Sequence, residues 1–148
     1  ARPLARREEQ VGGREDHLAM LPRAGRAVGV AELTLDPPPP RTYAYCSDTA
    51  YEPALVEHLH GVDLLYHEAT FDETLAARAK ETLHSTARQA ATIARDAGAG
   101  ELLLGHFSSR YKTERVLLEE ALAVFPRVRL AQEGITFHVR GGDPTIDA

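Results

Sequence analysis

The sequence predicts an α/β layered domain preceded by an irregular, poorly ordered N-terminal segment. Three observations carry that expectation. Short apolar runs of strand length, residues 62–67 and 102–104, alternate with stretches of helical period. Two Thr-x-x-Glu/Gln signatures, Thr70 with Glu73 and Thr86 with Gln89, mark helix starts. The run Asp36-Pro37-Pro38-Pro39-Pro40 separates these elements from a front segment of different texture.

Residues 1–40 are read as irregular. Their first thirty positions are rich in Arg, Glu and Gly, with no sustained period, and the prolines form a stiff, extended lead-in. Residues 42–46 are β-prone and end in Ser-Asp-Thr. Residues 53–60 read as a short helix with Pro53 in its first turn, and 62–67 as a buried strand. Thr70 opens a helix towards Lys80. Thr86 opens another, with Ala90, Ile93, Ala94 and Ala97 on one face and a stop at Gly98. Residues 102–104 form the next strand, and 114–124 an amphipathic helix closed by Pro126. Two last strands, 128–131 and 135–139, flank a turn at Glu133-Gly134. The layered domain is therefore placed at 41–140, with 141–148 as a tail.

At 148 residues the chain suits one domain with a modest core. The single cysteine, Cys46, excludes an internal disulfide and fits a reducing compartment such as the cytoplasm. No apolar run approaches the roughly 20 residues of a membrane span, so no membrane partner is expected; nor is a nucleotide cofactor. The net charge of −5 argues against nucleic-acid binding by bulk charge and requires a local basic patch for any such partner. The seven histidines are the informative anomaly, because several stand beside acids.

Four short motifs concentrate the chemistry. In Cys46-Ser47-Asp48-Thr49 the aspartate at a strand end is a turn residue or a carboxylate able to bridge two cations. In Tyr66-His67-Glu68-Ala69-Thr70-Phe71, strand alternation sends His67 and Glu68 to opposite faces, so they do not share one metal. His67 reads as a buried, hydrogen-bonded histidine, and Glu68 as a helix-leading acid or the orienting partner of a catalytic histidine. His84-Ser85-Thr86 puts a histidine in a loop before a capped helix, either a surface residue or a general acid, with Ser85 or Thr86 fixing the helix start. Gly105-His106-Phe107-Ser108-Ser109-Arg110-Tyr111 puts a histidine directly after a buried strand, where a zinc ligand is well placed. Gly105 there permits an unusual backbone angle, and Arg110 can grip a phosphate bidentately. Tyr111 and Phe107 can stack on a base or pack. Lys112 and Arg115 extend the only compact basic cluster of the second half.

No one of these motifs is specific; their conjunction and order are. Together they resemble the signature series of ribonuclease Z, a tRNA 3′ endonuclease family of the metallo-β-lactamase superfamily, over residues 41–138. The resemblance covers only that family's C-terminal part. It implies the C-terminal half of an αβ/βα sandwich and a phosphodiesterase reaction on precursor tRNA, 3′ of the discriminator base, at a two-zinc site. It assigns Asp48 to the bridging metal ligand, His106 to a further ligand and His84 to the catalytic histidine that protonates the leaving oxygen. Glu68 becomes the acid supporting His84. Ser108, Ser109 and Arg110 become a phosphate- or tRNA-binding loop, with His67, Ser85 and Thr86 in support. The intact family enzyme is usually a homodimer.

The chain departs from that family in one large respect. The His-x-His-x-Asp-His motif is absent, and His17, in Arg14-Glu15-Asp16-His17, lacks its partners. The family's tRNA-gripping arm is missing too. Two zincs need roughly seven or eight ligand contacts, of which about three are supplied here, counting the bridging aspartate twice. The chain is therefore expected to be a fragment of an active enzyme, unable alone to hold both metals or to cleave tRNA usefully. Two other readings remain open: another metallo-β-lactamase-fold phosphodiesterase or hydrolase, and a non-catalytic module that binds RNA or a partner chain.

Overall fold

The computed structural model describes residues 39–139, Pro37, and the backbone of 21–23 and 26–28. The chain divides into two compact units, Ala1–Pro38 and Pro39–Ala148. In the first, strand β1 (Leu21–Arg23) pairs antiparallel with β2 (Arg26–Val28), Leu21 opposite Val28. Strands of three residues are too short to show a period, which is why this hairpin was not legible. The remainder of the expected irregular segment, apart from the described prolines, lies outside the described residues, as does the expected tail at 141–148.

The second unit is an α/β layer. Its order is β3 (Tyr43–Cys46), α1 (Leu55–His58), β4 (Leu64–Glu68), a 3-10 turn (Glu73–Leu75), α2 (Ala76–Glu81), α3 (Ala87–Asp96), β5 (Glu101–Gly105), α4 (Arg115–Leu122) and β6 (Val128–Leu130). The four strands lie side by side in chain order and every pairing is parallel. Parallel neighbours require crossover connections, and helices occupy them. Leu65, Leu102 and Leu104 turn one sheet face towards Ala90, Ala91, Ile93 and Ala94 of α3 and Leu117 and Ala121 of α4, all buried. The alanine face of α3 lets the helix lie close to the sheet. On the other face Tyr43 and Tyr45 are exposed, and Tyr45 stacks on Tyr66 with centroids 4.5 Å apart.

The Thr86 signature forms as expected. Its hydroxyl accepts from the Gln89 amide at 3.1 Å, and the Gln89 side chain accepts from the Thr86 amide at 2.9 Å. Gly98 follows the helix in the left-handed region at φ 64°. Three other expectations are corrected. Thr70 caps no helix: its hydroxyl turns towards Glu68 and His106, Asp72 precedes the 3-10 turn, and Glu73 accepts from Thr86 at 2.8 Å. Residues 135–139 form no strand. Gly134 makes the turn at φ 77°, but Arg129 then lies over the Phe137 ring at 4.9 Å, and the Val139 carbonyl accepts from Arg41 instead of from a strand.

The third correction concerns Gly105. Among the described residues the positive φ belongs to His106, not to Gly105. Glycine stands at 105 because the Tyr66 ring lies where a β-carbon would go. Gly105→Ala is therefore expected to destabilise the fold by about 1–3 kcal/mol through overpacking. Tyr66→Ala should recover part of that loss, as read from urea unfolding of the single and double variants.

Candidate metal and catalytic site

Three neighbouring strands deliver their following residues to one edge of the sheet. Asp48 follows β3, Glu68 ends β4 and His106 follows β5. That carboxyl edge is where sites collect in open α/β sheets. His84 arrives from the loop ahead of α3, its amide held by the Ala79 carbonyl at 2.8 Å. Among the described residues the non-glycine positive φ angles fall at Asp48 (49°), Leu83 (59°) and His106 (56°). Left-handed backbone costs a leucine or histidine about 1–2 kcal/mol, and strain of this kind gathers at functional sites.

Glu68 is fully buried, and its carboxylate is the meeting point. It accepts from the Thr49 amide at 2.6 Å, the Thr70 hydroxyl at 2.6 Å and the Ser85 amide at 3.1 Å. It also lies 3.0 and 3.1 Å from His84 Nδ1. Burial pushes this carboxyl up, but hydrogen bonds from Thr70, His84, Ser85 and Thr49 outweigh it and hold Glu68 below the usual carboxylate range. The Ser85 hydroxyl donates to the Thr49 carbonyl at 2.8 Å, joining the same two loops again.

His106 Nε2 lies 3.1 Å from Asp48 Oδ1. One donor atom from each of Asp48, His84 and His106 falls within 4.8 Å of the others. The His84 and His106 ring centroids are 5.2 Å apart. Exposure rises across the site, from nil at the Glu68 side chain to 23% at His84, 40% at His106 and 72% at Asp48. One carboxylate and two imidazoles form a donor set suited to zinc and to other hydrolytic metals.

His67 is not part of this cluster. It is buried, its Nδ1 pairs with the Glu68 carbonyl at 2.8 Å, and burial pushes its pKa down. Ser108 is half-buried, while Ser109 and Arg110 are exposed. Arg110 donates to Ser108 Oγ at 3.0 Å and lies 4.9 Å above the Phe71 ring, whose edge meets His84 with centroids 6.2 Å apart. Tyr111 is fixed by Asp72, with its hydroxyl donating at 2.9 Å. Arg115 is paired with Glu119, which weakens the expected basic cluster. Thr86 acts through the cap of α3, not by contact with the cluster. Sequence reasoning missed the Thr49 and Ser85 amides, which carry no side-chain signal. It also missed Phe71 as the platform linking Arg110 to His84.

The profile of the beta-lactamase superfamily domain matches residues 16–107. The chain belongs to this superfamily. Within it, ribonuclease Z of Bacteroides fragilis is 57% identical over 111 residues, covering 75% of this chain and 36% of that protein. Ribonuclease Z of Porphyromonas gingivalis is 58% identical over 109 residues, covering 74% and 36%. The chain thus spans little more than a third of the curated relatives it matches. Among solved structures, the metallo-beta-lactamase fold protein YhfI of Bacillus subtilis superposes with a TM-score of 0.62 at 30% identity, covering 66% of this chain and 40% of that one. Superfamily membership and the Asp48–His84–His106 donor set together point to metal use. No helix among the described residues is long and apolar enough to cross a membrane.

Both buried groups make the folded state less stable in acid than at neutral pH. His67 is held neutral, so acidification below about pH 6.5 protonates the unfolded chain first and stability falls. Glu68 is held ionised, so its contribution is present above the ordinary glutamate pKa, about 4.3, and is lost as pH falls through the lower folded value. Glu68→Gln should cost on the order of 1–3 kcal/mol at neutral pH, because one amide oxygen cannot satisfy all four donors. It should also flatten the low-pH limb of unfolding free energy measured by denaturant titration.

Proposed function

We propose that this chain is the portion of a ribonuclease Z-type endoribonuclease that carries the acid side of its active site, in an intact enzyme that removes the 3′ trailer of precursor tRNA. The observation that carries this reading is the convergence of Asp48, His84 and His106 within 4.8 Å, inside a stretch 57% identical to a ribonuclease Z. Zinc is the proposed metal, with Asp48 and His106 as ligands from this chain. When bound, it supplies Lewis acidity that stabilises charge on the phosphoryl oxygens and activates water.

The chain's own residues divide the remaining work. Glu68 holds His84 by Nδ1, which leaves Nε2 to pass a proton to the leaving oxygen of the scissile phosphodiester. Phe71 borders the His84 ring and restricts its swing. Arg110, propped on Ser108 and Phe71, is exposed to meet a phosphate, with Ser109 beside it. Supporting proposals are a cytoplasmic location, which the lone cysteine fits, and a homodimer for the intact enzyme. A second reading is a metallo-β-lactamase-fold hydrolase acting on another phosphodiester, since the likeness to the Bacillus subtilis protein shows the fold and names no substrate. Turnover of precursor tRNA against a small phosphodiester by the full-length protein separates the two. Selective cleavage of the tRNA supports the first and equal or preferred cleavage of the small ester supports the second.

His84 could serve as the acid or as a third ligand, and one variant distinguishes them. His84→Ala in the full-length enzyme is expected to lower tRNA cleavage by about 10²–10⁴-fold, the usual worth of general acid catalysis, with zinc affinity retained. Loss of zinc together with activity would make His84 a ligand. The 148-residue chain alone offers three donors in this cluster and is expected to show no zinc-dependent tRNA cleavage. Cleavage by the purified chain would contradict that expectation.

A further inference from the structure

Thr70 Oγ1 has one proton and three close neighbours: Glu68 Oε2 at 2.6 Å, His106 Nδ1 at 2.9 Å and the His106 carbonyl at 3.0 Å. An ionised carboxylate is the strongest acceptor of the three, and 2.6 Å is the length of a charge-assisted O–H···O⁻ bond. The hydroxyl proton is therefore committed to Glu68. Its oxygen then has only lone pairs for His106, so the 2.9 Å contact is a hydrogen bond only when Nδ1 carries a proton and donates it. The same reasoning fixes His84. A carboxylate only accepts, so His84 Nδ1, 3.0 Å from Glu68, is also a donor.

We propose that Thr70 is a positioning residue that extends the grip of Glu68 by one hydrogen bond, so that a single buried carboxylate sets the ring orientation and the Nδ1 proton of both His84 and His106. The first ring is held directly and the second through the threonine hydroxyl. The two histidines reach the site from different loops, one before α3 and one after β5, and they share this one anchor. For His106 the consequence is that Nδ1 is engaged and Nε2 is the nitrogen left for a cation. With no cation bound, Nε2 lies 3.1 Å from Asp48 Oδ1, a carboxylate that only accepts, and donates to it. A hydrogen bond to the distal nitrogen of a ligating histidine is what orients such a ring and raises its basicity. That last step rests on the metal-site reading above; the proton assignment does not.

An NMR measurement on the 148-residue chain and a zinc measurement on the full-length enzyme test the two parts separately. Long-range proton–nitrogen NMR of histidine-labelled, metal-free chain at neutral pH reads which His106 nitrogen is protonated. A proton on Nδ1 is expected in the native chain and in Thr70→Ser. In Thr70→Val, which keeps the shape and loses the hydroxyl, Nδ1 should lose its proton while Nε2 keeps the one that Asp48 accepts. An unprotonated Nδ1 in the native chain, or no change in Thr70→Val, overturns the relay. The native-chain spectrum decides even if the valine variant folds poorly. Zinc affinity by chelator competition is expected to fall about 10–100-fold in Thr70→Val and to recover in Thr70→Ser. Equal affinity in all three forms overturns the positioning role. A native full-length enzyme that takes up no zinc overturns the metal reading, while the NMR result still decides the proton assignment.

Discussion

The buried carboxylate of Glu68 takes hydrogen bonds from three loops at once, and the site exists because of it. Thr49 comes from the turn after β3, Thr70 from the turn after β4, and His84 and Ser85 from the approach to α3. A buried charge is costly unless its lone pairs are filled, and here the four donors fill them. The ionised form alone accepts from every side, so the charge and the convergence of the loops require one another. Removing this centre would leave Asp48 with its contact to His106, and His84 with its amide bond to Ala79 and the Phe71 ring. The left-handed backbone at Asp48, Leu83 and His106 shows that these turns are held against their own preferences.

The fold sets rigid matter behind this centre and open space in front of it. β4 and β5 are almost wholly buried, with Leu65, Leu102 and Leu104 packed against the alanine face of α3. The strand ends therefore move little, and residues one or two positions beyond them inherit that precision. Exposure then grows outward from Glu68 through His84 and His106 to Asp48. On the proposed reading, a phosphodiester would face the exposed Asp48 and His106 and the less exposed His84. The acidic chain offers it Arg110 beside the histidine, steadied by Phe71 and Ser108. The bulk charge argument against nucleic acid and this local cation are compatible, since a net charge does not describe one edge of a sheet.

Much of this architecture was legible in the sequence, and the exceptions share a cause. The alternation of apolar runs with helical periods gave the layer, and Thr86 with Gln89 marked the start of α3 because both partners of that cap are local. Thr70 with Glu73 has the same local form, yet a buried carboxylate and a histidine thirty-six residues away claim the hydroxyl. Propensity lost to a tertiary hydrogen bond. Ile135, Phe137 and Val139 alternate like a strand, but Arg129 and Arg41 engage the ring and carbonyl that a strand would present. Gly105 was read as permitting an unusual backbone angle, whereas the Tyr66 ring explains it. Asp48, Glu68, His84 and His106 were singled out from their motifs, and the fold brings them to one edge of the sheet. The backbone amides of Thr49 and Ser85 could not be singled out, because every residue has one.

The most direct test of this account is a zinc-edge anomalous difference map from crystals of the chain grown with zinc. The account predicts a peak at the strand edge, within about 2.0–2.2 Å of the Asp48 carboxylate and His106 Nε2, with Glu68 still turned to His84 and Thr70. A peak ligated by Glu68, or zinc bound only elsewhere on the chain, would contradict it.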